Sequence, residues 1–251
     1  MGADCEDPGV LLKGCLNGAR RPAEHPALPV TPAALAADVA RVVAAGVGAV
    51  HLHPKDSVGA DTLAREEVAA ALTAVRAATP AVAVGITTGA WTVADPAERV
   101  TAIRAWTVLP DFASVNWHEP GAQDVAAALL ARGVGVEAGL WHAQAVQEWA
   151  ASPYRARCCR VLIELSDGLD AVDTEREADR LLDLVRPVGS EAPVLLHGEG
   201  TSCWPALRHA GRHRLQTRIG LEDVLDLPDG SPAPDNAALV VAARALLTEH
   251  E

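Results

Sequence analysis

Two histidines, separated by a single residue, give the clearest chemical signal in the sequence. His51 and His53 lie at the end of an apolar run over residues 47–54 that is typical of a short buried strand. Because side chains alternate along a strand, both imidazoles point to the same side. Zinc commonly takes two histidines and one carboxylate and keeps its fourth position for water or substrate. The run therefore predicts half of a metal site that still needs a carboxylate.

Eight short β-rich runs alternate with helical stretches rich in Ala, Leu and Arg. We predict strands at 10–16, 48–53, 81–86, 111–115, 133–138, 159–163, 193–196 and 214–218. Helices are predicted at 32–45, 62–78, from 96, 122–131, 142–150, 174–185, 202–210 and 235–249. This series predicts an α/β fold, a single-domain (β/α)8 TIM barrel over residues 1–251, with residues 1–9 as a flexible tail. A doubly wound open sheet is the alternative.

Composition narrows the possible partners. The chain has 251 residues, 49% of them hydrophobic, which is enough for a large core, and a net charge of −12. An acidic surface argues against nucleic acid or an anionic membrane as partner. Neither a run of about 18 apolar residues nor a signal-peptide pattern occurs, and the five cysteines show no CxxC spacing. We therefore expect a cytoplasmic protein that acts on small molecules.

Polar residues collect where the predicted strands end, which is where barrel enzymes place their active sites. Glu222 and Asp223 follow the last strand, so one could bind the metal while the other serves as base, and Arg218 could hold a carboxylate. Glu137 could bind substrate or form an ion pair with Arg218. The His197-Gly198-Glu199 run has the right position but suggests no role. The candidate substrate-binding residues are Asn17, Arg20, Thr87, Thr88, Ser114, Asn116 and Glu137.

The chain resembles the β-keto acid cleavage enzymes, whose founding activity is the cleavage of 3-keto-5-aminohexanoate. The matching stretches span residues 16–225 and read LNGARRPAEHPALPVTPAALA, VHLHPKD, GITTGA, SVN, VEAG and RIGLEDVL. The resemblance implies a TIM barrel that binds one zinc ion through His51, His53 and Glu222. It also implies that Asp223 is the catalytic base beside Arg218, and that Thr87 and Ser114 contact substrate.

The resemblance further implies an acyltransferase that converts a β-keto acid and acetyl-CoA to acetoacetate and a new acyl-CoA, in a homo-oligomer (dimer or tetramer). This sequence departs from the family at four positions and is shorter than most relatives. Arg20 replaces a glutamate that holds the substrate's amino group in the lysine-fermentation enzyme, so we hypothesise a neutral or acidic side chain on the keto acid. The other three departures are Lys55, Gly139 and Val224.

Two other functions remain open from the residues. One is a different zinc-dependent barrel enzyme, such as a hydrolase or an aldolase. The other is a catalytically silent homologue that binds metal.

Overall fold

The computed structural model describes residues 11–248, and over this range parallel strands alternate with α-helices. The predicted tail 1–9, the first residue of the first predicted strand and the last residue of the final predicted helix lie outside it. The strands are β1 Leu12–Cys15, β2 Ala49–Leu52, β3 Ala83–Thr87, β4 Phe112–Asn116, β5 Gly135–Leu140, β6 Cys158–Leu165, β7 Val194–Gly198 and β8 Thr217–Ile219. The helices are α1 Pro32–Ala44, α2 Arg65–Ala78, α3 Pro96–Ala105, α4 Ala122–Ala131, α5 Ala143–Ala151, α6 Ala171–Val185, α7 Cys203–Arg212 and α8 Asn236–Thr248.

The strands follow one another around the sheet in chain order, and β8 pairs with β1. Leu12 is the partner of Thr217 in that parallel pair. The remaining gap is closed where the Leu196 amide donates to the Gln216 carbonyl at 2.9 Å. A doubly wound sheet would reverse its strand order at a switch point, and this one does not. The structure therefore confirms the single (β/α)8 TIM barrel and excludes the open sheet.

Helix starts follow local capping chemistry. Thr31 accepts a hydrogen bond from the Ala34 amide and precedes Pro32, and Asp95 caps α3 in the same way ahead of Pro96. Asp170 accepts from the Asp173 amide, so α6 starts earlier than the predicted position 174. The predicted start of α2 at 62 is also wrong, because residues 62–64 are still loop.

The last strand lies further along the chain than predicted. Arg214 has a φ of 53° and completes the turn after α7, so the strand cannot begin there, and Gln216 forms only an isolated bridge to Leu195. The ladder with β1 begins at Thr217 and ends at Ile219. Arg218 is thus held rigidly within the strand, and Gly220 is the first residue of the loop that carries the two acids.

An ion cluster fills part of the barrel interior beneath the mouth. Lys13 on β1 donates to Glu137 on β5 at 2.7 Å, and since these strands lie on opposite sides of the barrel, the bond crosses its centre. Arg160 on β6 also pairs with Glu137, and the Lys13 ammonium lies 5.5 Å from the centre of the Phe112 ring. Aliphatic packing between helices and strands surrounds this barrel. None of the helices in residues 11–248 is long and apolar enough to cross a membrane.

Candidate metal centre and active site

The two histidines and one of the two predicted acids meet at the carboxyl-terminal mouth of the barrel. His51 and His53 project from the end of β2, with their ring centroids 5.2 Å apart. The loop after β8 brings Glu222 to them, so that one donor atom from each residue lies within 4.8 Å of the other two. The His53 Nε2 atom is 3.7 Å from the Glu222 Oε2 atom. The structure thus assembles the predicted trio without assigning it an ion.

The donor chemistry of this trio fits zinc. His51 Nδ1 and Glu222 Oε2 are buried and have no hydrogen-bond partner among the described residues. Burial lowers the pKa of His51 well below its usual value, and the neighbouring His53 imidazole lowers it further. The ring therefore stays neutral and keeps a lone pair for a metal. Unpaired buried polar atoms are costly, and a bound cation is one way to satisfy them.

A carboxylate that the sequence analysis missed orients His53. Asp61 Oδ2 lies 2.8 Å from His53 Nδ1, and an ionised carboxylate only accepts, so Nδ1 carries the proton and Nε2 keeps its lone pair. Burial by itself would raise the pKa of Asp61, but His53 and Lys55 together hold it below its usual value. Lys55 donates to Asp61 Oδ1 at 2.5 Å and Trp91 donates to Oδ2 at 2.8 Å. Carboxylate–histidine pairs of this kind fix metal-ligating imidazoles in many proteins.

The turn after β1 makes room for the third donor and fixes the second. Asn17 accepts from the His53 amide at 2.8 Å and donates to the His53 carbonyl at 2.9 Å, which holds the end of β2 in place. Gly18 has a φ of +52°, and a Cβ there would lie 2.5 Å from Glu222 Cγ. Glycine is therefore required for the turn and for the approach of Glu222. Asn17 thus positions the candidate ligand His53 and does not itself line the cleft.

Arg218 and Asp223 form a buried pair behind the trio. Arg218 Nη2 donates to Asp223 Oδ1 at 2.7 Å and lies 3.2 Å from Glu222 Oε1. Asp223 is fully buried, and its Oδ2 has no partner among the described residues. Burial raises the pKa of Asp223, and Arg218 acts in the opposite direction. The pair offers a carboxylate of raised basicity next to a fixed positive charge.

A cleft of about 420 Å³ opens above these groups. It brings together five of the predicted site residues besides the metal trio: Arg20, Thr87, Ser114, Asn116 and Arg218. Its other lining residues are Ala19, Glu24, Trp91, Trp141, Glu164, Asp167, Glu199 and Gly200.

Three predicted substrate-binding residues do not line the cleft and make structural contacts instead. Asn17 holds β2, and the Thr88 hydroxyl donates to the Ser114 carbonyl at 2.7 Å. Glu137 is fully buried below the cleft, and its ion-pair partners are Lys13 and Arg160. The alternative in which Glu137 pairs with Arg218 is therefore wrong. Strand periodicity identifies an inward-facing residue, but it does not say in which layer of the barrel that residue lies.

The β6–β7 side of the cleft carries acids to which the sequence analysis gave no role. Burial and the nearby Asp223 raise the pKa of Glu199 to about 7. Burial also raises the pKa of Glu164, which lies 3.6 Å from His197. Both nitrogens of His197 are buried without a hydrogen-bond partner among the described residues. The sequence signal that could have identified His197 and Glu199 was the His-Gly-Glu run, because it directly follows a predicted strand.

The fold and the site together define the class of this protein. It is a (β/α)8 barrel with a candidate metal site, formed by two histidines and a glutamate, at its carboxyl-terminal mouth. The sequence model of the beta-keto acid cleavage enzyme family matches residues 10–251, and the chain belongs to this family. The resemblance that the motifs indicated is thereby confirmed. No match is found among curated proteins.

Solved structures support the same fold. ObcA in a ternary complex with a C4-CoA adduct and oxalate aligns with a TM-score of 0.68 at 19% identity, over 89% of this chain and 64% of that chain. ObcA in a binary complex with oxaloacetate gives 0.67 at 18%, over 88% and 63%. A 4-hydroxy-2-oxoglutarate aldolase gives 0.50 at 20%, over 94% and 93%. This chain thus spans less than two thirds of ObcA, and the likeness concerns the fold.

Proposed function

We propose that this protein cleaves a β-keto acid in a zinc-dependent acyl transfer, converting the keto acid and acetyl-CoA to acetoacetate and a new acyl-CoA. The main support is the trio of His51, His53 and Glu222, whose side chains line a cleft directly beside the Arg218–Asp223 pair. Membership of the beta-keto acid cleavage enzyme family supports this reaction. ObcA binds oxaloacetate, which is chemically a β-keto acid, and a C4-CoA adduct.

We expect the keto group of the substrate to bind at the trio of His51, His53 and Glu222. Zinc, when bound, supplies a Lewis acid that polarises a carbonyl and stabilises negative charge on its oxygen. His51 contributes a neutral ring, and His53 contributes Nε2 while Asp61 holds the proton on its Nδ1. Glu222 supplies the only carboxylate of the trio, and Gly18 leaves the space for it.

Asp223 is the group that removes a proton from the acetyl methyl. Its burial raises its basicity, and its Oδ2 atom has no competing donor among the described residues. Asp223 does not itself line the cleft, whereas Arg218, which donates to it at 2.7 Å, does, so a substrate carbon would reach the carboxylate next to the guanidinium. Arg218 faces the cleft and neutralises the charge that develops there.

The remaining polar groups orient the substrate. Thr87 and Ser114 line the cleft with hydroxyls, and Asn116 lines it with an amide, which suit a carboxylate or a thioester carbonyl. Arg20 donates through Nε to the Leu221 carbonyl at 2.5 Å and through Nη1 to Glu24 at 3.2 Å. The guanidinium is thus fixed at the rim, where it favours a neutral or acidic side chain on the keto acid. A cytoplasmic dimer or tetramer remains our expectation.

Metal analysis combined with a substrate screen tests the proposal. Protein purified without chelators should contain one zinc ion at the trio, and should release acetoacetate from acetyl-CoA with at least one member of a panel of β-keto acids. Glu222→Gln should lose this zinc and the activity. Glu24→Gln, which changes a neighbouring cleft carboxylate outside the trio, should keep the zinc.

Two results contradict the proposal. The first is a trio without zinc. The second is a zinc-loaded protein that releases no acetoacetate across the panel, which favours a barrel hydrolase, an aldolase or a silent homologue.

A further inference from the structure

A second cluster of metal-ligating side chains lies on the outside of the barrel. His209 is in the last turn of α7, His213 caps the end of that helix, and Asp179 is on the neighbouring α6. One donor atom from each residue lies within 4.8 Å of the other two. We propose that these three residues bind one divalent ion of the zinc class (Zn²⁺, Co²⁺ or Ni²⁺), which joins α6 to α7.

The spacing on α7 is that of a helical chelate. Residues four apart share one face of a helix, and two histidines at this spacing bind zinc in metalloprotease helices. The His209 and His213 rings are 4.3 Å apart between centroids. Asp179 Oδ1 lies 3.0 Å from His209 Nε2. Two ligand atoms about 2.0–2.1 Å from a tetrahedral zinc are roughly 3.3–3.4 Å apart. Asp179 and His209 are already at about this separation, whereas the stacked His213 ring would have to turn toward the ion.

The burial of His209 Nε2 without a hydrogen-bond partner in residues 11–248 also points to a bound ligand. His209 is only 3% exposed, and Nε2 has no hydrogen-bond partner among the described residues, although Asp179 is close to it. The two groups therefore lie near each other without the angle of a hydrogen bond. Nε2 is thus a buried ring nitrogen directed at a carboxylate and a second imidazole, and a metal would give it a partner once the proton lies on Nδ1.

Arg212 is the one cation beside the cluster among the described contacts. Its Nη2 lies 3.4 Å from His209 Nδ1 and 2.7 Å from Glu175 Oε1. The shorter contact shows that Glu175 is its main partner and offsets its charge. A metal on Nε2 requires the proton on Nδ1, so binding would end the longer contact and leave Arg212 with Glu175.

This site is remote from the cleft. Helix α7 begins shortly after Glu199, at the mouth of the barrel. It ends at the two histidines, near the opposite, amino-terminal end of the barrel. A metal there touches neither the trio nor the Arg218–Asp223 pair. Since it would bind the folded chain and not the unfolded one, its effect is to stabilise the packing of α6 on α7.

Metal titration in a His51→Ala/His53→Ala background isolates the second site. This variant should bind one equivalent of Zn²⁺, show the visible absorption of tetrahedral Co²⁺, and gain thermal stability on adding either ion. His213→Ala and Asp179→Asn should each weaken binding by about tenfold or more and abolish the gain. Asp183→Asn, one turn further along α6, is the matched control and should change nothing.

Failure of the folded background variant to bind zinc would overturn the proposal. Equal affinity with and without His213 or Asp179 would do the same, because it would place the ion elsewhere. Should the background variant misfold, the full chain gives the same comparison. There, His213→Ala should lower the number of bound zinc ions by one, and an unchanged number contradicts the proposal. The result does not depend on whether the cleft cleaves β-keto acids.

Discussion

Replacing Asp61 by Asn tests how the candidate metal ligand His53 is held. Asp61 Oδ2 faces His53 Nδ1 and Trp91 Nε1, both at 2.8 Å, and Oδ1 accepts from Lys55 at 2.5 Å. An asparagine that keeps its oxygen toward His53 turns its NH2 group toward the Lys55 ammonium, so two donors face each other. An asparagine in the reverse orientation removes the acceptor from His53 and leaves the imidazole free to change tautomer or rotate.

The structure sets the expected size of the effect. Loss of a carboxylate behind a metal-ligating histidine typically costs about 10- to 100-fold in metal affinity, or roughly 1.4–2.7 kcal/mol. Lys55 also loses its charge partner, and breaking a buried ion pair costs about 3–5 kcal/mol of folding free energy. Lys55 keeps its hydrogen bonds to the carbonyls of Gly18 and Arg20, at 2.6 and 2.9 Å. We therefore expect a loss of stability near the lower end of that range.

Two measurements separate the effects. Competition with a chromophoric chelator gives the zinc Kd, and urea unfolding gives the free energy of unfolding. Adding Lys55→Met to Asp61→Asn should recover much of the stability, because the unpaired ammonium is gone, while the zinc Kd stays weakened. Asp95→Asn is the control, since asparagine caps a helix as well as aspartate does, and it should leave both quantities unchanged. A folded Asp61→Asn variant whose zinc Kd stays within about twofold of the parent value refutes the reasoning.

Three further changes test the groups around the cleft. Asp223→Asn should keep bound zinc but lower the rate of acetoacetate formation by about 100-fold or more, since the proposed base is gone; parallel zinc and rate assays decide this. Lys13→Met removes one of the two cations on buried Glu137 and should cost about 3 kcal/mol in urea unfolding without changing the zinc Kd, because Lys13 does not line the cleft. Glu199 keeps its proton up to pH about 7 when folded, whereas an unfolded glutamate loses it near pH 4.3. The folded metal-free chain then binds more protons between these values, so its unfolding free energy should fall with rising pH, by up to about 4 kcal/mol. Glu199→Gln should flatten that slope, and an unchanged slope would exclude Glu199 as its source.

The convergence of His51, His53 and Glu222 was predictable because local rules decide where these residues lie. A strand repeats every two residues, so the common face of His51 and His53 follows from sequence once β2 is recognised. The eightfold repeat of strand and helix then puts the ends of β2 and β8 at the same mouth. The choice of Glu222 over Asp223 needed the family resemblance, since two adjacent acids in a loop have no such periodicity.

Other residues were unpredictable because their roles depend on tertiary contacts. Asp61 lies in a loop, and nothing in its local sequence shows that the loop folds back onto His53. Asn17 and Thr88 have the polar character of substrate-binding groups, yet the backbone of neighbouring strands uses their hydrogen bonds. Glu137 shows that an inward-facing carboxylate can belong to the structural layer of a barrel. Strand-end position was therefore a good guide to the mouth, but not to which polar atoms remain free there.

The charge of the cleft depends on which of its acids hold protons. Five carboxylic acids and two arginines line it, a surplus that would repel an anionic keto acid if every acid were ionised. Burial raises the pKa of Glu164 and, with Asp223, that of Glu199 to about 7, so part of the surplus is removed at neutral pH. Glu24 is paired with Arg20, and Glu222 belongs to the trio, where a divalent cation would more than offset it. Affinity for an anionic substrate should therefore weaken as the pH rises above 7, as Glu199 loses its proton, and an affinity unchanged across this range would argue against control by Glu199.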